Sequence, residues 1–375
     1  MVLFPGILAP GENMKRLLCM AAALFLAAAI LFAQPVGAIS AEKWILVDGT
    51  TGRVLSENNA DGKSLIASTT KIMTALIVCE QCNVLDRMRI PKEAVGIEGS
   101  SMYLKEGEVL TVQDLLYGLM LSSGNDAAVA LAIYCGGTVE GFAGLMNDKA
   151  HALGMKDSHF VNPNGLDAPG HYSTARDLAV LAAYAMANPI FRQTVSTKTV
   201  RVGDRTLQNH NKLLWRVEGA DGVKTGYTQA AGRILVSSAT RQGRRLIAVT
   251  INDRNDWEDH EALYSQGFSN FSIQQIISQG DVLGWVEVAG SSGEKAALIA
   301  DEDFSYALAE GETPEVVITG PGFVYAPVEK EADAGLARIT LGGKCIGSVR
   351  LVFGDTVAQE KASAKRSFWQ RIMGK

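Results

Sequence analysis

Ile66-Ala67-Ser68-Thr69-Thr70-Lys71-Ile72-Met73-Thr74-Ala75-Leu76-Ile77 is the stretch on which the reading of this chain turns. Ile72, Met73, Leu76 and Ile77 recur at helical spacing and form one apolar stripe that buries against a core. Ser68 and Lys71 stand three apart at the first turn of that helix, so their side chains share a face. A hydroxyl is a poor nucleophile at neutral pH, and a neighbouring amine without its proton can activate it. The helix start adds free N–H groups and a positive dipole end beside any oxyanion formed at Ser68. By itself the stretch reads as a helix N-cap followed by a solvated lysine. A second match to the same spacing, Ser292-Gly293-Glu294-Lys295, reads as a loop.

Moving toward the N-terminus, residues 42–57 read as a hairpin: Trp44–Val47, a turn at Asp48-Gly49-Thr50-Thr51-Gly52, then Arg53–Leu55. Before it, Lys15 and Arg16 precede an uncharged apolar run from Leu17 to Ala33, and Pro35-Val36-Gly37-Ala38 offers a small-residue cleavage site. Residues 1–38 are therefore expected to be an export signal, with the body outside the cytoplasmic membrane. Cys19 falls in that leader. Cys79, Cys82, Cys135 and Cys345 allow three full pairings, among which the sequence does not choose. No second Cys pair or nearby His accompanies Cys79 and Cys82, so no metal site is expected. No cofactor is expected either.

Moving toward the C-terminus, Thr111-x-x-Asp114 opens a helix with a capping box, and Ser122-Ser123-Gly124-Asn125 breaks it. The chain resumes as a helix from Asp126, leaving a polar tip held between two apolar helices. Further helices are expected over 138–153 and 175–187, the second opened by Thr174-x-x-Asp177, with a tight turn at Asn162-Pro163-Asn164-Gly165 between them. The polar connection holding His210 and Trp215 gives no periodicity to read. Ile234–Val236 and Leu246–Val249 are strands joined by the basic turn Arg241–Arg245, and 257–272 is helical. Past about residue 278 the texture becomes β, with strands at Trp285–Val288, Glu315–Thr319 and Leu336–Leu341 and a tight turn at Gly342-Gly343.

The fold expected is α/β: a mixed sheet with helices packed on it over 39–275, and a smaller all-β domain over 278–356. The 375 residues suffice for two domains, and a net charge of −5 argues against a broad nucleic-acid surface. The tail, 357–375, places Phe368, Trp369, Ile372 and Met373 on one helical face among five basic residues, which fits a membrane-surface helix.

Three motifs occur in order: Ser68-Thr69-Thr70-Lys71, Ser123-Gly124-Asn125 and Lys224-Thr225-Gly226. S-x-x-K, S-D-N and K-T-G are the set of penicillin-binding proteins and class A β-lactamases. The Ser-Gly-Asn form, Asn209–Trp215 and Asp221–Thr228 resemble the low-molecular-mass penicillin-binding proteins, the serine-type D-alanyl-D-alanine carboxypeptidases. The resemblance covers roughly 40–355. It implies a β-lactamase/transpeptidase-like fold and peptidoglycan stem peptides as substrate, with β-lactams as covalent inhibitors. It also implies roles. Ser68 is the nucleophile, Lys71 takes its proton, and Ser123 passes a proton to the departing D-alanine. Asn125 holds Lys71 and the substrate amide. Lys224 and Thr225 bind the terminal carboxylate, Gly226 admits the substrate backbone, and the N–H groups of Ser68 and Tyr227 form the oxyanion hole. Two positions depart from it. His210 and Asp256 stand where relatives can carry arginine, and Arg254 is the expected substitute for the second. The Glu-x-x-Leu-Asn run of class A β-lactamases is missing between Asn125 and Lys224. A D,D-endopeptidase and a silent muropeptide or β-lactam sensor are the alternative readings.

Overall fold

The computed structural model describes residues 39–360; the expected leader and residues 361–375 of the tail lie outside them. The hairpin is β1 (Lys43–Asp48) and β2 (Val54–Asn58). It leads through a 3-10 turn at Ala67–Thr70 into α1 (Lys71–Gln81). A small ladder of β3 (Arg87–Arg89) and β4 (Val109–Thr111) precedes the helices α2 (Val112–Leu121), α3 (Asn125–Gly136) and α4 (Val139–Ala152). α5 (Ala175–Ala187) and α6 (Pro189–Ser196) follow, then the hairpin β5 (Thr199–Val202) and β6 (Arg205–Gln208) and the single turn α7 (Leu213–Arg216). The strands β7 (Ala220–Thr228), β8 (Gly232–Arg241) and β9 (Arg244–Ile251) and the helix α8 (Asp256–Asn270) complete this part.

The central sheet has five strands in the order β2-β1-β9-β8-β7. All four of its pairings are antiparallel, a correction to the mixed sheet expected. Three of them follow from the connections, since β1–β2, β7–β8 and β8–β9 are hairpins and tight turns permit only antiparallel neighbours; the fourth, β1–β9, joins the two hairpin groups side by side. The continuous apolar runs of β8 and β9 are buried on both faces. Ile45, Val47, Val236 and Val249 join the core under α5, whereas Leu46 and Leu246 pack against Gly267 of α8. The apolar stripe of α1 fills the centre of the larger core, with Ile72, Met73, Leu76 and Ile77 all at 0% exposure.

Capping decides where the helices start. Thr111 accepts from the Asp114 N–H while the Asp114 carboxylate accepts from the Thr111 N–H, so α2 starts as expected. Thr174 caps α5 by accepting from the Asp177 N–H, but the Asp177 carboxylate accepts from Asp157 N and Ser158 Oγ instead of closing a box. The uninterpretable connection before β7 turns out to be α6, the β5–β6 hairpin and α7. α6 is announced by Asn188-Pro189, an N-cap and a proline at N1.

The β-rich part begins with β10 (Phe271–Ile277), which pairs with Phe304–Ala309. Its main sheet has six strands, and Val286/Val288, Ala296/Leu298, Ala337/Ile339 and Val349/Leu351 alternate inward to form a separate core. Arg53, just before β2, ties this region to the five-stranded part: its guanidinium donates to Glu312 at 2.6 and 2.7 Å and lies over the Phe271 ring.

Candidate active site

Residues 67–70 form a 3-10 turn, and α1 begins at Lys71 rather than at Ser68. In a 3-10 turn positions i and i+3 eclipse, which brings the Lys71 side chain directly over Ser68. Nζ lies 3.0 Å from Ser68 Oγ. It also donates to Asn125 Oδ1 at 2.7 Å and to the Asn164 carbonyl at 2.6 Å. Asn125 is oriented by its own amide, which donates to the Glu98 carbonyl at 2.6 Å. Lys71 is 0% exposed. Burial first, and then the nearby Lys224 charge, hold its pKa well below the ordinary value, with Asp126 pulling the other way. A neutral amine has two hydrogens and one lone pair. In that form, with the two carbonyl acceptors taking the hydrogens, the lone pair would face the Ser68 hydroxyl.

The turn that holds Ser68 is under backbone strain and closely packed. Ala67 and Ser123 both have positive φ, +44° and +58°, in the left-handed region that non-glycine residues rarely adopt. Two glycines let other chain segments close on this turn. Gly226 brings β7 against it: a Cβ there would meet the Ile66 carbonyl at 3.2 Å and the Thr69 nitrogen at 3.3 Å. Gly165 sits at φ +85° with its Cβ position 1.9 Å from the Ala67 carbonyl oxygen. The Asn162–Gly165 turn, legible only as a turn, is thus a wall of the site. Thr74 Oγ1 donates to the Pro163 carbonyl at 2.7 Å, and Thr70 Oγ1 is 2.8 Å from His171 Nε2. Burial lowers the His171 pKa to about 4, so the ring is neutral; its Nδ1 accepts from the Val161 N–H, which leaves Nε2 as donor to Thr70. Gly165→Ala is expected to destabilise the fold by about 2–4 kcal/mol, since the clash is with backbone at positive φ. Gly203→Ala, at φ +56° with nothing within 4 Å, is the control and should cost only about 1 kcal/mol. Thermal melts of the two variants measure the contrast.

Ser68, Ser123, Thr225, Gly226 and Tyr227 border one cleft of about 310 Å³. Lys224, 1% exposed, lies just beneath, its Nζ donating to the Thr225 carbonyl at 2.9 Å, and burial lowers its pKa to about 7. Ser68, Lys71, Ser123, Asn125, Lys224, Thr225, Gly226 and Tyr227 therefore converge from α1, the α2–α3 tip and the edge strand β7. In the Asn209–Trp215 segment alternate residues divide the work. Asn209 and Asn211 are buried and hold the carbonyls of Val195, Thr197 and Gly222, while His210 and Lys212 face the cleft.

Sequence reasoning missed several neighbours. Asp126, adjacent to the second motif, accepts from Ser101 Oγ, Met102 N and Leu104 N and fixes the loop that places Ser100 on the cleft. Arg233, Asp256 and Trp257 also border it; Arg254, the expected replacement cation, is exposed and does not. The competing Ser292–Lys295 match is a surface turn whose Lys295 pairs with Glu287 at 2.7 Å. A larger hollow of about 780 Å³ between Thr240–Arg244 and Phe268–Ile273 is lined by Glu218 and Ser272, which share no hydrogen bond. Cys79, Cys82, Cys135 and Cys345 are all free thiols.

A family model described as D-alanyl-D-alanine carboxypeptidase matches residues 30–255, and one described as the penicillin-binding protein 5 C-terminal domain matches 271–359. This chain belongs to the D-alanyl-D-alanine carboxypeptidase family. It is 38% identical over 327 residues to D-alanyl-D-alanine carboxypeptidase DacD of Salmonella typhimurium, covering 81% of this chain and 84% of that one. It is 34% identical to DacC of Escherichia coli, with 94% and 93% covered. The crystal structures of penicillin-binding protein 5 from Haemophilus influenzae superpose with a TM-score of 0.75 at 30% identity, over 86% of this chain and 98% of that one.

Proposed function

We propose that this carboxypeptidase-family protein removes the terminal D-alanine from peptidoglycan pentapeptide stems through an acyl-enzyme on Ser68. The observation that carries the reading is the buried Lys71 amine, its hydrogens committed to Asn125 and Asn164 and its lone pair toward Ser68 Oγ. As Oγ attacks the carbonyl carbon of the penultimate D-alanine, its proton passes to Lys71 Nζ. The resulting oxyanion is received by the backbone N–H groups of Ser68 and Tyr227. Ser123 relays a proton to the departing amine, the C–N bond breaks, and D-alanine leaves. Water then attacks the ester and releases the tetrapeptide. Thr225 and Lys224 hold the terminal carboxylate, and Asn125 holds both Lys71 and the substrate amide. A β-lactam acylates Ser68 by the same attack, with ring opening in place of departure.

A second reading is supported by one feature. Beyond His210 and Lys212 the cleft continues into a hollow of about 880 Å³ beside the half-exposed Trp215. That is room for a second peptide strand, as a D,D-endopeptidase would need. Incubation with an acyl-Lys-D-Ala-D-Ala peptide and with a cross-linked dimer separates the two. Free D-alanine from the peptide is expected; cleavage of the dimer alone would overturn the carboxypeptidase reading. The leader over 1–38 supports action outside the cytoplasmic membrane. The basic amphipathic tail over 357–375 supports peripheral contact with its surface.

A further inference from the structure

Two kinds of basic group stand at the cleft. Lys71 and Lys224 are amines buried to 0% and 1% exposure. Arg233 is different, because its guanidinium presents a planar fork of donors and borders the cleft itself. It reaches the cleft from β8, paired with Tyr227 across the β7–β8 ladder, with its side chain 45% exposed.

Its position is fixed from two sides. Nε donates to Asp256 Oδ2 at 3.1 Å, and Nη2 donates to Oδ1 and Oδ2 at 2.7 Å each. The Asp256 side chain is 4% exposed, at the first position of α8. The guanidinium carbon stands 5.8 Å from the centre of the Trp257 ring, and Lys212 Nζ stands 5.9 Å from that ring. Among the described residues nothing accepts from Arg233 Nη1. Asp256 balances the Arg233 charge, and Lys212 adds one further positive charge beside it. The corner thus offers a preset donor group to an anion entering past Thr225, with Glu258 and Glu261 nearby already paired to Arg216.

We propose that Arg233, clamped by Asp256 and Trp257, is the residue that selects substrates ending in a free carboxylate, with Asp256 as its positioning residue. This rests on the Ser68 reading above. The terminal carboxylate would accept from the Nη1 donors while Ser68 attacks the preceding carbonyl. Asp256 thereby acts as the anchor of the arginine and does not itself meet the substrate.

The test compares kcat/KM for an acyl-D-Ala-D-Ala peptide with that for its C-terminal carboxamide. Arg233→Gln is expected to lose roughly 10- to 100-fold on the acid, the value of a charge-assisted pair, and to change little on the amide. Arg233→Lys keeps the charge but not the fork and should fall between. Asp256→Asn should raise KM for the acid more than it lowers kcat. An acid-to-amide preference equal to wild type in Arg233→Gln would overturn the proposal. If that variant does not fold, an unaltered preference in Arg233→Lys together with Asp256→Asn overturns it instead. End-point labelling with penicillin separates the two levels: full adduct with unchanged preference sinks the Arg233 assignment alone, whereas no adduct in wild type sinks the Ser68 reading.

Discussion

Ser68→Ala is expected to form no covalent adduct with labelled penicillin and to release D-alanine roughly four orders of magnitude more slowly, or worse. The effect is this large because nothing else in the cleft can replace the nucleophile. Ser123 borders the cleft too, but no amine contacts it, whereas Lys71 Nζ stands 3.0 Å from Ser68 Oγ. The same variant should melt within about a degree of wild type, since one partly exposed hydroxyl is lost and Lys71 keeps both carbonyl acceptors. Intact-mass spectrometry after incubation with penicillin reads the first expectation and a thermal melt the second. A stoichiometric adduct on Ser68→Ala would end the assignment.

The second large effect belongs to the base. Lys71→Met preserves much of the side-chain volume while removing the amine, and acylation should fall by roughly 10²- to 10⁴-fold, the usual worth of a positioned general base. Its stability change is the sum of two opposed effects. The Asn125 and Asn164 oxygens lose a donor, at about 1–3 kcal/mol each. Against this, a buried amine that folding forces to shed its proton is removed. In the unfolded chain lysine holds its proton up to about 10.5; in the fold Lys71 lies well below that and Lys224 near 7. Between the folded and unfolded values the unfolded chain binds more protons, so wild-type stability rises with pH from about 7 toward 10.5. Lys71→Met should flatten that rise, which denaturant titrations at several pH values would detect. Wild-type acylation should fall as pH drops, because Lys71, its pKa held below the ordinary lysine value by burial and the Lys224 charge, regains its proton and can no longer accept the one on Ser68. An acylation rate that does not fall toward acid pH would contradict Lys71 as the base.

Much of this was legible in the chain, for local reasons. Thr111 and Asp114 make a capping box from residues three apart, and the structure forms it. Gly342-Gly343 joins two strands that pair across it. Ile234–Val236 and Leu246–Val249 are too apolar to be anything but doubly covered strands, and α5 and α8 cover them. What failed was also physical. The connection around 189–216 mixes a short amphipathic helix, an edge hairpin and a single turn, each too brief to show a period. The sheet's antiparallel order followed from which hairpins close and from the long-range pairing of β1 with β9, not from any one strand's composition.

The order of the motifs, the Ser68–Lys71 spacing and the charge inventory belong to the sequence itself, because each is a property of neighbours along the chain. The state of Lys71 does not. Its pKa is lowered because the core shuts out water and the Lys224 charge stands near it, and the acceptors that orient its hydrogens lie 54 and 93 residues away. Which of Arg233 and Arg254 borders the cleft was decided in the same way. Two arginines that look alike in a string differ only in which one β8 and α8 turn toward the cleft, and that depends on packing between elements distant in the chain.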